Sequence, residues 1–141
     1  MASSAVTSVG ASFKRGDGAS SEVFTAIAEV NSIGGPDMSR DIIDVTSLDS
    51  TGGYKEFLAG HRDPGEITLE MNFTYAGYNA MLTDFEADTP VNYQIVLPDT
   101  PVTTFDMACL VTSMGMATTV GDRITASVTL KVTSEITVAN A

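Results

Sequence analysis

Between Glu66 and Phe73 apolar and polar side chains alternate without interruption: Ile67, Leu69, Met71 and Phe73 on one side, Glu66, Thr68, Glu70 and Asn72 on the other. A period of two fits the pleat of a β-strand and no helix, so this segment reads as a strand with one buried and one solvated face. Such a strand cannot stand alone, because its apolar face needs paired neighbours and a covering layer. The chain supplies several. Val91, Tyr93, Ile95 and Leu97 share one face of a segment that ends at Pro98-Asp99-Thr100-Pro101, and Ile124, Ala126, Val128, Leu130 and Val132 share one face of another. Thr104 to Met116 is apolar on both sides, as a central or covered strand would be. Upstream, Phe24, Ala26, Ala28 and Val30 alternate with Val23, Thr25, Ile27 and Glu29 up to the breaker Gly34-Gly35-Pro36, and Ile136 to Ala139 reads as a short edge piece. Helical spacing occurs once, over Ala76 to Ala87, where Tyr78, Met81, Leu82 and Phe85 recur with Pro90 just beyond the end.

Six or seven strands and one helix, with no internal repeat, predict a mainly β fold: an antiparallel sandwich or partly closed barrel with one flanking helix. Residues 1–22 lack periodicity and read as a flexible arm or a weak first strand that orders only against something else; residues 23–141 read as a single domain. Within it, residues 34–65 form a long stretch rich in Asp, Ser, Gly and Pro. Loops beyond about 12 to 15 residues are functional or disordered, and this one carries the anchors Ile42, Ile43, Tyr54, Phe57 and Leu58, which disorder does not need.

Charge then narrows the function. Eighteen Asp and Glu against seven Lys and Arg leave a formal net charge of −11, with no basic run longer than Lys14-Arg15, so tight binding to nucleic acid is not expected. Charged residues make up only 18% of the 141, below the roughly 25% usual in soluble domains, and a surface that poor in charge points to burial against partners. The longest uncharged stretch, Met107 to Gly121, is broken by Thr and Ser, so no membrane span is expected. No apolar segment of a secretory signal lies in residues 1–22, and Sec export is not expected either. The lone Cys109 suits a packed interior position in a reducing compartment.

Catalytic chemistry is hard to find. His61, the only histidine, sits in Gly60-His61-Arg62-Asp63-Pro64-Gly65, a Pro-Gly turn setting that does not make a dyad. There is no Gly-x-Ser-x-Gly elbow and no phosphate loop, and neither an enzyme, a cofactor nor a metal site is expected. Asp84, Glu86 and Asp88 at the predicted helix end lack the spacing of a calcium loop. They oppose the helix dipole, so a cation should answer them, and with so few in the chain a neighbouring subunit is one source and solvent the alternative. Glu66 and Glu70, with Glu22 and Glu29 elsewhere, make a second acidic feature: a solvated sheet face, or a wall that repels a polyanion.

Two consecutive segments bear a family likeness. Ser39-Arg40-Asp41-Ile42-Ile43-Asp44-Val45-Thr46-Ser47-Leu48-Asp49 is followed by Gly52-Gly53-Tyr54-Lys55-Glu56-Phe57-Leu58-Ala59-Gly60-His61-Arg62-Asp63-Pro64-Gly65 and the alternating strand to Phe73. In order, these resemble the Asp-Val-Thr-Ser stretch, the basic-Glu-aromatic-apolar element and the strand of the major tail tube proteins of long non-contractile-tailed phages and phage-like particles. The resemblance implies a β-sandwich or barrel with a flanking helix, assembled into rings of six that stack into a hollow tube through which DNA passes without specific binding. It implies tape measure, tail terminator and baseplate proteins as further partners, assembly in the host cytoplasm and a final place in the virion tail. On that reading Arg40, Ile42, Asp44, Val45, Tyr54, Lys55, Phe57, Leu58 and Arg62 pack against a neighbouring subunit or ring, and Glu29, Glu66 and Glu70 face the channel. A terminator or connector, which caps rather than polymerises, and a soluble β-sandwich binding module are the alternatives. Against the module, the chain has no Trp, and its Tyr and Phe fall mostly on core faces or in the loop.

Overall fold

The computed structural model describes residues 9–19, 21–27 and 29–140. Strands β1 (Ser12–Gly16), β2 (Phe24–Ala26), β3 (Val30–Gly34), β6 (Glu66–Asn72), β7 (Val91–Leu97), β8 (Thr103–Ala117), β9 (Thr125–Val132) and β10 (Thr137–Asn140) form one antiparallel sheet, while β4 (Ser39–Asp44) and β5 (Phe57–Asp63) form a separate hairpin. Helix α1 (Tyr75–Glu86) is capped by the Thr74 hydroxyl, which accepts from the Gly77 amide at 3.2 Å. The strictly alternating segment is β6. Ile67, Leu69 and Met71 are wholly buried, and Glu66, Thr68 and Glu70 are exposed.

The order across the large sheet is β2-β1-β7-β8-β9-β6-β3, with β10 also paired to β8. The two edge strands are therefore consecutive in the chain. Between them the Ile27 amide donates to the Phe13 carbonyl on β1, and the Glu29 carbonyl accepts from the Asn72 amide at the end of β6, each at 2.9 Å. One short segment thus bonds to both edges, which requires the sheet to curl until they meet, although β2 and β3 do not pair and the barrel stays open. Phe13, Ile67, Leu69, Met71, Tyr93, Met107, Val128 and Leu130 fill the curl, and Met81 of α1 joins the same cluster. Cys109 lies in that core, where burial pushes its thiol up to about 12.

Three expectations change. Val23 to Val30 is not one strand: Glu29 takes φ 60°, a left-handed conformation that breaks the run as the chain changes edges. The expected pairing of Ala28 with that face lies outside the described residues. Of the arm or weak first strand expected in residues 1–22, the described part holds the strand: β1 lies between β2 and β7 of its own chain, with Phe13 wholly buried and stacked on Tyr93 at 5.3 Å between centroids. A single apolar side chain among polar ones produces no periodicity, yet two flanking strands suffice to fix it. Residues 1–8 and Ser20 lie outside the described residues. Finally, the long loop is mostly the β4–β5 hairpin, so the described residues hold ten strands rather than six or seven.

The base of that hairpin is closed by backbone approach. Gly35 and Gly65 have φ 93° and 84°, and a Cβ on either would collide with a backbone carbonyl, that of Glu66 or of Asp37 respectively. Asp63 accepts from the Gly65 amide at 2.9 Å and from Lys131 Nζ at 2.7 Å, tying the hairpin to β9.

Candidate assembly surface

Along β4 and β5 the register sets Arg40 opposite Arg62, Ile42 opposite Ala59, Ile43 opposite Leu58 and Asp44 opposite Phe57. Directly paired residues share a face and successive ones alternate. Ile43 and Leu58 therefore occupy one face, and Ile42 and Phe57 the other. Every residue of β4 is exposed, as is every residue of β5 except the half-buried Gly60. Side chains that belong in a core stand in solvent: Ile42 is 68% exposed, Tyr54 77%, Phe57 55% and Leu58 57%. A lone two-stranded ribbon is marginal in water, and exposed apolar surface is a feature of interaction sites.

The hairpin tip explains its polar sequence. Thr46 Oγ1 accepts from the Glu56 amide at 2.7 Å, the Val45 amide donates to the Glu56 carbonyl at 2.9 Å, and the Ser50 hydroxyl donates to Glu56 Oε2 at 2.9 Å. The Asp44 carboxylate accepts from the Thr46 amide at 2.9 Å, an Asx turn that redirects the chain. Asp44 therefore has a task inside its own subunit, whatever else it touches.

Thr46, through its side chain and then its amide, holds the Asp44 carboxyl below the ordinary carboxylate value of 3.8. The Lys131 ammonium, and after it the Gly65 amide, does the same for Asp63. A depressed folded-state value gives stabilisation that is complete above the ordinary pKa and is lost as pH falls through the depressed one. The hairpin is accordingly expected to loosen below about pH 4, read as a falling protection factor of the Val45 amide in hydrogen exchange. Asp44→Asn with Asp63→Asn should remove most of that pH dependence; an unchanged acid response would refute the assignment.

The acidic features separate. Glu66 and Glu70 stand on the outward face of β6, opposite Lys131 and Ser127 of β9, whereas Glu29 sits at the crossing between β2 and β3. Asp84 overturns its expectation. It is 3% exposed, and its cation comes from the same chain: Arg15 Nε and Nη2 reach its two oxygens at 2.6 Å each, and the Tyr93 hydroxyl donates to Oδ2. The pairing of Arg15 beside Tyr93 puts the guanidinium under α1. The hydrogen bond to Asp84 raises the Arg15 pKa; burial first, and then Asp84, raises that of Tyr93. Neither partner stands out in the sequence. The available signal was a Tyr on a core face, whose hydroxyl must find a polar partner. Glu86 and Asp88 remain exposed, with no ion pair among the described residues.

His61 is exposed on β5. Among the described residues no group of three or more His, Cys, Asp or Glu is arranged to hold a metal ion, and no helix is long and apolar enough to cross a membrane.

The family model of the lambda phage tail tube protein matches residues 6–139. The chain belongs to that family. Solved structures carry the same fold at low identity. A chain of the tail of an empty gene transfer agent particle, refined with C6 symmetry, superposes with a TM-score of 0.74 at 22% identity, covering 96% of this chain and 99% of the other. A chain of the anti-feeding prophage cap reaches 0.76 at 19% identity, with 100% and 95% covered. The SPP1 tail tube reaches 0.69 at 11% identity, with 97% and 80% covered. None of the curated protein sequences matches this one. This tail tube protein is thus a structural subunit of a phage-type tail, its fold is that of tube proteins, and its place is the virion tail. Assembly with copies of itself follows from that role.

Proposed function

We propose that this tail tube protein forms rings of six that stack into a hollow tube, each β4–β5 hairpin seated on a neighbouring subunit or ring. The exposure of the hairpin on both apolar faces carries this reading, because only a surrounding partner removes both from water. Ile42, Val45, Tyr54, Phe57 and Leu58 supply the apolar contact, Asp44 shapes the tip, and Arg40, Lys55 and Arg62 meet acids of the neighbour. Six subunits per ring are supported by the C6 symmetry of the gene transfer agent tail. The open edges of β2, β3 and β10 join adjacent subunits, which also removes a hazard for aggregation.

Glu29, Glu66 and Glu70 line the channel in this proposal, where a negative wall lets DNA slide without adsorbing. The partners at the two ends are terminator and baseplate proteins, with a tape measure inside, and the subunit performs no catalysis. Light scattering on a sizing column followed by negative-stain microscopy tests the ring reading: rings or tubes of uniform bore are expected from the purified protein. A strict monomer at every concentration, joining tails only as a single terminal layer, would favour a terminator. For the channel, Glu66→Lys with Glu70→Lys is expected to leave tubes intact and lower DNA delivery about tenfold through phosphate adsorption. Unchanged delivery by intact particles would return these residues to the solvent face.

A further inference from the structure

The hairpin places two arginines where their own chain does not satisfy them. Arg40 and Arg62 are directly opposite across β4 and β5, and like charges in that relation repel. Both line one cleft of about 690 Å³ between the hairpin base and the β9–β10 connection, together with Thr133 and Ser134. Two carboxyls share that cleft. Asp63 is taken by Lys131 and the Gly65 amide, and Glu135 makes no ion pair with either arginine. In a chain of net charge −11, two of only seven cations thus face each other with no ion-pair partner among the described residues. An arrangement of two guanidinium forks, each able to grip a carboxylate with two parallel N–H bonds, is stable once carboxylates occupy it.

The mirror-image deficit lies at the end of α1. Glu86 is its last residue and Asp88 follows shortly after, with no basic residue in the last turn. Both add negative charge where the helix dipole is already negative. Arg15, the cation that reaches this helix, is committed to Asp84. We propose that Arg40 and Arg62 form a clamp for Glu86 and Asp88 of a second copy of this chain. This rests on the ring reading above and names the charged contact within it. Two positive groups in a cleft meet two carboxylates at an exposed helix end, and each surface relieves the repulsion of the other. A nucleic acid phosphate would suit the same forks, but the strongly negative chain around them disfavours a polyanion.

Charge exchange tests the pairing. Arg40→Glu with Arg62→Glu, and separately Glu86→Arg with Asp88→Arg, should each raise the concentration needed for tubes roughly 100-fold. Mixed in equal amounts, the two variants should assemble within about threefold of wild type, since each then offers the other a complementary contact. All four positions are exposed, so thermal melts matching wild type confirm folding. If one variant unfolds, Arg40→Gln with Arg62→Gln removes the clamp without adding charge and should weaken assembly about tenfold. Assembly of either reversed variant at the wild-type concentration overturns the clamp, as does failure of the mixture. Loss of DNA delivery by intact tubes of the Arg40→Glu, Arg62→Glu variant would assign the cleft to phosphate instead and also overturns it. Failure of wild type to form tubes would instead refute the ring reading, and the clamp with it.

Discussion

Phe57→Asp combined with Leu58→Asp yields a folded subunit that forms no tubes. Both side chains lie on the hairpin, on opposite faces, and both are more than half exposed. The subunit's own core therefore loses nothing, and its melting free energy should move by no more than about 1 kcal/mol, most of it from the new carboxylate at position 57 facing Asp44. Assembly responds differently. Burying a Leu or Phe side chain is worth about 1.5 to 3 kcal/mol, and a carboxylate in its place must be desolvated without a partner. Removing two such contacts takes away about 3 to 6 kcal/mol per interface, roughly a hundredfold to ten-thousandfold in the association constant. Leu58 also faces Ile43 across the hairpin, so protection of the Val45 amide should be followed alongside. Tubes of normal appearance from this variant would show that the hairpin is not buried in the assembly, whereas loss of tubes with an unchanged melt places its role outside the monomer.

What was legible in the sequence follows from how each element is stabilised. β6, β7, β9 and α1 bury one face inside their own subunit, and their periodicity states it: β7 runs over Val91–Leu97, the segment read from alternation alone. The hairpin gives no such pattern. Both of its faces carry exposed apolar side chains, as the proposed covering by another chain requires, so Ile42-Ile43 and Phe57-Leu58 appear as short apolar runs within a polar stretch. The anchors were visible, but the strand pairing that presents them was not. The turn from β2 to β3 was hidden for another reason, since Glu is not a residue whose type announces a positive φ. The resemblance over Ser39 to Phe73 covered the part of the chain where periodicity is least informative, and the family membership of residues 6–139 agrees with it. The ion pair under α1 was least accessible, since Arg15 and Asp84 are 69 positions apart and only β1–β7 pairing brings them together.

That ion pair makes the second large prediction: Arg15→Ala should destabilise the subunit by about 3 kcal/mol and lower its melting temperature by about 10 °C. The Asp84 carboxylate is buried, and Arg15 supplies two of its three side-chain hydrogen bonds, the Tyr93 hydroxyl giving the other. Removing the guanidinium leaves a charge in the interior with one neutral donor, and it is this orphaned charge, more than the lost attraction, that destabilises. An orphaned charge has a consequence that a merely local loss of packing lacks. Neutralising the orphan should restore much of the loss, so Arg15→Ala with Asp84→Asn is expected to cost only about 1 to 1.5 kcal/mol relative to wild type. Tyr93→Phe alone should cost about 1 kcal/mol. Denaturant melts of wild type and these three variants measure the differences, and a double variant as unstable as Arg15→Ala would mean that the charge is not what the site is built around. The same set separates folding from assembly. The triad lies within the subunit, so the double variant should still form tubes below its own melting temperature, the reverse of the hairpin variant, which melts normally and assembles not at all.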